Sequence, residues 1–246
     1  MKFKDFPIDK FNYYKEEKNN NLLKFINSTD YSVPVLQMPE GSHWGYICKD
    51  KALSFEAQLD FLNSYLNLKS DLAFLYLEPW YGVGVYAAAF GCQYEWHEGE
   101  SPQTRYLYQS ADEVKNVKYP SIKNCDVMMH IIDMIKYFKS QTGNSMEIAL
   151  TDTQSPNDTA SLILDSCEFF VTAATEPEIL YDFLTKITNI TIEFSKLQIE
   201  EIGDSLVLPG HIMLSDKSFK GISVSDDNMA ILSPNAFKDT CVPYND

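Results

Sequence analysis

Arginine is almost missing from this chain. Of its twenty basic residues only Arg105 is an arginine, against thirty-five acidic residues and a net charge of -15. That balance, with a pI near 4.6, argues against nucleic acid or an anionic membrane as partner. It also leaves little guanidinium for gripping several carboxylates or phosphates bidentately. The five cysteines (48, 92, 125, 167 and 241) are odd in number, scattered and without a CxxC pair. They fit reduced thiols in the cytoplasm rather than a disulfide framework. No apolar run approaches the ~18 residues of a membrane span. The charged start, Met1-Lys2-Phe3-Lys4-Asp5, gives no signal peptide, so the sequons at Asn27, Asn157 and Asn189 are chance matches. Neither Cys92 with His97 nor His43 with Cys48 makes the close pair of a zinc site, so no metal is expected from these residues. A Gly-x-Ser-x-Gly elbow and a cysteine in a basic setting are both absent, which removes the usual nucleophiles.

What is present is a globular chain of 246 residues, 45% apolar and 13% aromatic, long enough to bury roughly 70% of its unfolded surface in one large domain. Residues 8–27 read as a surface helix through Phe11, Tyr14, Leu22, Phe25 and Ile26. Residues 32–37 suit a first strand ending at Pro39-Glu40-Gly41. Ser54 is expected to cap a helix striped by Phe55, Leu59, Leu62 and Leu66. Residues 72–77, apolar on both faces, predict an interior parallel strand closed by Glu78-Pro79-Trp80. Gly82-Val83-Gly84 lacks the third glycine of a dinucleotide loop, and its small neighbours suit close packing of a helix or loop instead. Residues 97–121 form a polar, Tyr-rich connection. Apolar residues from Ile122 to Phe138 recur at helical spacing up to Gly143. Met146 to Leu150 is a third strand, and Pro156-Asn157-Asp158 opens the helix after it. Pro177 starts a long helix that Gly203 stops. Residues 221–225 are expected as a fourth strand, and Ser233-Pro234 caps a last helix.

Strands alternating with helices call for a parallel sheet with covering helices. Right-handed crossovers then place every strand end on one rim. Glu40 and His43, Glu78 and Trp80, Asp152 to Gln154, and Ser225 to Asp227 would gather there. Asp152 as general acid competes with Asp152 bonding its own loop. Glu78 is either a pocket carboxylate with a raised pKa or a cap for a neighbouring element. Gln154 orients a substrate or satisfies the loop. Asp226 and Asp227 point different ways, so at most one faces the pocket. His130, on a helix, and His211, in a turn, read as structural.

Three motifs carry a family resemblance: residues 77–85 (Leu-Glu-Pro-Trp-Tyr-Gly-Val-Gly-Val), residues 151–161 (Thr-Asp-Thr-Gln-Ser-Pro-Asn-Asp-Thr-Ala-Ser) and Ile222-Ser223-Val224-Ser225-Asp226-Asp227 with the Leu232-Ser233-Pro234 and Val242-Pro243-Tyr244-Asn245 that follow. In that order the chain resembles the uroporphyrinogen decarboxylase family over most of residues 30–246. The family contains decarboxylases and methyltransferases that move methyl groups between corrinoid proteins and thiol or pterin acceptors. The resemblance implies an α/β fold of (β/α)8 TIM-barrel type. Residues 1–30 would be a helical extension and 31–246 the barrel domain, with about four of the βα units present and the rest beyond Asp246. The shared rim of strand ends makes Asp152 and Glu78 the candidate catalytic residues. Gln154, Thr153, Trp80, His43, Ser225 and Asp226 become candidate substrate ligands. The decarboxylase branch carries an arginine-rich segment near its N-terminus, whereas residues 35–44 here hold no Arg and an acid at Glu40. Methyl transfer with a corrinoid protein is therefore the expected activity. Decarboxylation of uroporphyrinogen, or a non-catalytic binding role, stand as alternatives. Zinc is expected only with ligands from outside these residues, and exposed sheet edges predict a homo-oligomer.

Overall fold

The computed structural model describes residues 1–29, 34–39 and 44–245; Glu40 and His43 lie outside the described residues. The chain is an α/β protein in which helices dominate. They are α1 (Ile8–Asn27), α2 (Trp44–Ile47), α3 (Lys51–Tyr65), α4 (Val85–Ala89), α5 (Ala111–Val114), α6 (Asp126–Thr142), α7 (Pro156–Ile163), α8 (Ser166–Thr175), α9 (Tyr181–Ile202), α10 (Pro234–Thr240) and α11 (Val242–Asn245). β1 (Tyr94–Glu95) and β2 (Gln103–Thr104) form a small antiparallel hairpin that starts just before the expected polar connection and ends within it. Among the described residues no helix is long and apolar enough to cross a membrane.

Between the helices runs a ladder of short parallel bridges: Leu36 to Leu72, Leu77 to Ile148, and Ile148 to Leu206. Its backbone bonds include Leu77 N–H to Glu147 O at 2.9 Å, Ala149 N–H to Leu77 O at 2.9 Å, and Ile148 N–H to Ser205 O at 2.8 Å. Segments therefore sit side by side in chain order. That order needs a long crossover between each pair, and α3, α6 and α9 supply them.

The fourth rung is not where the sequence pointed. Leu206 takes the place beside Ile148, and Ser225 bridges to Gln154 beyond the end of the third segment. The run at 206–208 is only three apolar residues, begun right after the helix stop and ended by Pro209-Gly210. It is too short for periodicity to mark it. The helix at 51–65 also starts earlier than expected: Asp50, not Ser54, is the cap, its carboxylate accepting from the N–H groups of Ala52 and Leu53. Ser54 is buried one turn inside.

The expected helix start at Pro177 opens a separate 3-10 turn, and α9 begins at Tyr181; several other sequence signals hold for local physical reasons. α1 spans the predicted residues. Gly143 ends α6 in the left-handed region at φ 59, a conformation glycine adopts without a Cβ penalty. Ser155 and Ser233 cap α7 and α10, each followed by proline at the first helical position, where the missing N–H costs nothing. Gly84 permits the close packing anticipated for it, since a Cβ there would lie 2.3 Å from Thr104 Cγ2.

One core cluster joins Phe6 and Phe11 at the N-terminus to Phe55 and Leu59 of α3, Ile131 and Phe138 of α6, and Phe194 of α9, with Leu77 and Ile148 of the ladder at its centre. A second cluster joins Ala87, Ile163, Phe169, Phe183 and Ile187. Burying each such side chain contributes about 1.5–3 kcal/mol. Together they hold the ladder ends in a fixed frame. The five cysteines are free, four of them buried.

Candidate active site

Three ladder segments deliver the site. Glu78 leaves the second immediately after Leu77, Asp152 leaves the third two residues after Leu150, and His211 follows the fourth across Pro209-Gly210. The imidazole lies between the two carboxylates: Nδ1 is 2.7 Å from Glu78 Oε1, and Nε2 is 3.6 Å from Asp152 Oδ1. The two acids thus emerge on the same side of the ladder and share one partner.

The surroundings are buried and polar. Thr151, Asp152, Thr153, Gln154, Ser155, Asn157, Asp158 and Thr159 are all buried, an unusual run for such residues. The His211 side chain keeps 20% of its surface exposed, so solvent meets the imidazole while the carboxylates lie beneath it. Burial pushes the Glu78 carboxyl above its ordinary range, opposed by the hydrogen bond and charge of His211. Asp152 is raised for the same reason, against the pull of His211 and of Gln154. Burial disfavours the imidazolium of His211, but the Glu78 hydrogen bond and the two carboxylate charges outweigh it and the net shift is upward. A carboxylate acceptor at Nδ1 fixes that proton in place and leaves Nε2 as the atom that gains or loses one.

The His211 turn is built for its place. Gly210 has φ +92, and a Cβ on it would meet Ala149 Cβ at 3.3 Å. Its N–H donates to Ser215 Oγ at 2.9 Å, and Tyr76 OH donates to Met213 O at 3.0 Å. Ile212 holds φ 49, a region that a β-branched side chain adopts only at a cost in strain.

Gln154, expected at the site, donates from Nε2 to Asp152 Oδ1 at 3.0 Å. Thr153 turns into the loop: its hydroxyl donates to Thr151 O at 3.0 Å and accepts from Tyr86 OH at 3.4 Å. Ser225 contributes backbone, its N–H donating to Thr153 O at 2.9 Å and its carbonyl accepting from Ser155 N–H at 2.7 Å. Asp226 is taken up by Asn157 and Asn245, at 3.3 and 2.7 Å. Asp227 is the neighbour whose charge reaches Asp152 and raises it further. Trp80 is half-buried, and no hydrogen bond or ring contact among the described residues links it to the cluster. His43 lies outside the described residues. His130 lies on α6, its Nε2 at 3.2 Å from Cys48 O and its ring against Tyr81.

His211 is the functional candidate the sequence reading missed. The available signal was its position, one residue past the Pro-Gly that ends a short apolar run. Arg105 is 76% exposed and pairs with Glu95 on the hairpin. Among the described residues no group of three or more His, Cys, Asp or Glu is arranged to hold a metal ion.

A family model, Uroporphyrinogen decarboxylase (URO-D), matches residues 32–246. The chain belongs to the uroporphyrinogen decarboxylase family. The match takes in every segment that supplies Glu78, Asp152 and His211. A methyltransferase from Methanosarcina mazei is similar in structure, with a TM-score of 0.61 at 15% identity over 92% of this chain and 64% of that one. At that identity the likeness is one of fold. This chain spans 64% of the length of the solved methyltransferase. A search of curated proteins gives no match.

Proposed function

We propose that this protein is a methyl-transfer member of the family, exchanging a methyl group between a corrinoid protein and a small thiol or pterin acceptor. In this reading the ladder is the first part of a (β/α)8 barrel, with residues 1–30 as a helical extension. Support comes from the parallel segments in chain order and from the fold shared with a methyltransferase. The observation that carries the choice of branch is the charge of the site. Two buried carboxylates flank one imidazole, and the chain's one guanidinium is paired on an exposed hairpin. A substrate bearing several carboxylates would meet repulsion there, not recognition.

The corrinoid would supply the transferable methyl; the residues of this chain handle the proton. Glu78 holds the Nδ1 proton of His211 and stabilises the imidazolium. When a thiolate or pterin nitrogen is the leaving group, His211 Nε2 donates the proton it needs. In the other direction the neutral imidazole takes the acceptor's proton at Nε2, and the charges of Glu78 and Asp152 stabilise the imidazolium that results. Gln154 orients Asp152. A zinc ion for thiol activation would need ligands from outside this site. In this reading the protein works in the cytoplasm, and a homo-oligomer would form through the Leu36 edge, where Val35, Leu36 and Met38 are exposed.

The test is incubation of the purified protein with a methylated corrinoid protein and a panel of thiols and pterins, following methylated acceptor by mass spectrometry. Transfer that disappears in His211→Gln supports the reading. No transfer, with carbon dioxide released from uroporphyrinogen, would assign the decarboxylase branch instead.

A further inference from the structure

We infer that Gln58 is a positioning residue that aims Glu78 at His211, with Gln198 as its counterpart behind Asp152. Gln58 lies on the buried stripe of α3 with Phe55, Leu59 and Leu62, and is 2% exposed. A carboxamide in such a place is costly unless its polar atoms are bonded. Here they are. Nε2 donates to Glu78 O at 2.8 Å and to Ser54 Oγ at 3.2 Å, while Oε1 accepts from Glu78 N–H at 2.7 Å. The side chain thus closes a two-point ring with the backbone of one residue, where the ladder bonding of Leu77 has just ended. Glu78 is held by its main chain, and its carboxylate is left to meet His211.

The same device recurs one segment along. Gln198 of α9 is fully buried and accepts from Thr151 N–H at 3.0 Å, one residue before Asp152. Among the described residues its Nε2 has no hydrogen-bond partner, so it grips with one atom where Gln58 grips with two. No hydrogen bond joins either glutamine to His211 or to the carboxylates themselves. They act by fixing where two backbones leave the ladder. A catalytic hydrogen bond depends on such placement to within about half an ångström.

This inference rests on Glu78, His211 and Asp152 being the site, but its test does not depend on turnover. Gln58→Met preserves the volume and removes both bonds to Glu78; Gln58→Asn, which keeps a shorter amide, serves if the Met variant does not fold. The readout is the His211 imidazole titration by NMR in the intact chain, assigned by its loss in His211→Gln. In a folded variant the His211 midpoint should fall by about one pH unit or more as the Glu78 contact lengthens. Gln198→Met should shift it less, because Asp152 is the more distant carboxylate. A folded Gln58 variant whose His211 titrates as in the parent would overturn the inference and leave Gln58 a packing residue. A normal shift without methyl transfer would count against the proposed reaction and leave the positioning role standing.

Discussion

At the residue scale the decisive fact is that one imidazole serves two buried acids. Removing it leaves two buried carboxylates without a counter-charge, a loss on the order of 3 kcal/mol. The pH dependence follows from the directions of the shifts. His211 is raised in the folded state, so its contribution is fully present below about 6.5, its unfolded value, and is lost as pH rises through the folded pKa. Glu78 and Asp152 are raised by burial, so they cost stability as pH climbs through their folded values. The pair also needs ionised carboxylates, so His211→Gln should lose little stability in acid, where Glu78 and Asp152 are protonated, and most near neutrality, with the deficit narrowing again in base where the parent imidazole is neutral. Chemical denaturation of both proteins across pH measures this, and a deficit independent of pH would contradict it. Beside it, Ile212 is 59% exposed and holds a positive φ. Ile212→Asn, which suits that region, should raise stability by about 1 kcal/mol in the same measurement.

At the element scale, the loop between the third segment and α7 is held from its far side. Asp158 accepts the N–H groups of Asp227 and Asn228 at 2.8 and 2.9 Å, and Ser155 Oγ caps α7 through Asp158 N–H. Burial pushes the Asp158 carboxyl up to about 6, against those two N–H donors. A carboxyl raised in this way favours the folded state at low pH and costs stability as pH rises from its unfolded value through about 6. Asp158→Asn should flatten that part of the stability profile, as followed by thermal unfolding between acid and neutral pH. It should also loosen the 225–228 segment, because an amide oxygen cannot accept both bonds in the same geometry. Sequence placed this element well: the polar loop, a helix opening at Pro156-Asn157-Asp158 and the apolar helix were all visible, though the cap is Ser155. The partner segment was visible too, but as a fourth strand rather than as a strap across the loop.

At the scale of the whole molecule the ladder is the frame and Ile148 its middle rung, bonded on one side to Leu77 and on the other to Leu206. Ile148 is fully buried in the main core. Ile148→Ala should cost about 2–5 kcal/mol and lower activity with stability, because Glu78, Asp152 and His211 all leave from segments that it joins. Equilibrium unfolding of the variant is the check, and an unchanged midpoint would show that the ladder does not hold the site.

The sequence by itself determined the long helices α1, α3, α6 and α9, the stop at Gly143, the Ser-Pro start of α10, the first three rungs and the family, because these depend on short-range periodicity, on the backbone preferences of Gly, Pro and Ser, and on motifs in fixed order. It also put Glu78 and Asp152 on one rim. Only the tertiary structure decided the fourth rung and, with it, the partner of those acids. A three-residue apolar run carries no period, and a histidine in a turn looks alike whether it faces solvent or two carboxylates. Distances such as that from residue 211 to residue 78 are set by which segment lies beside which, and no local pattern records them.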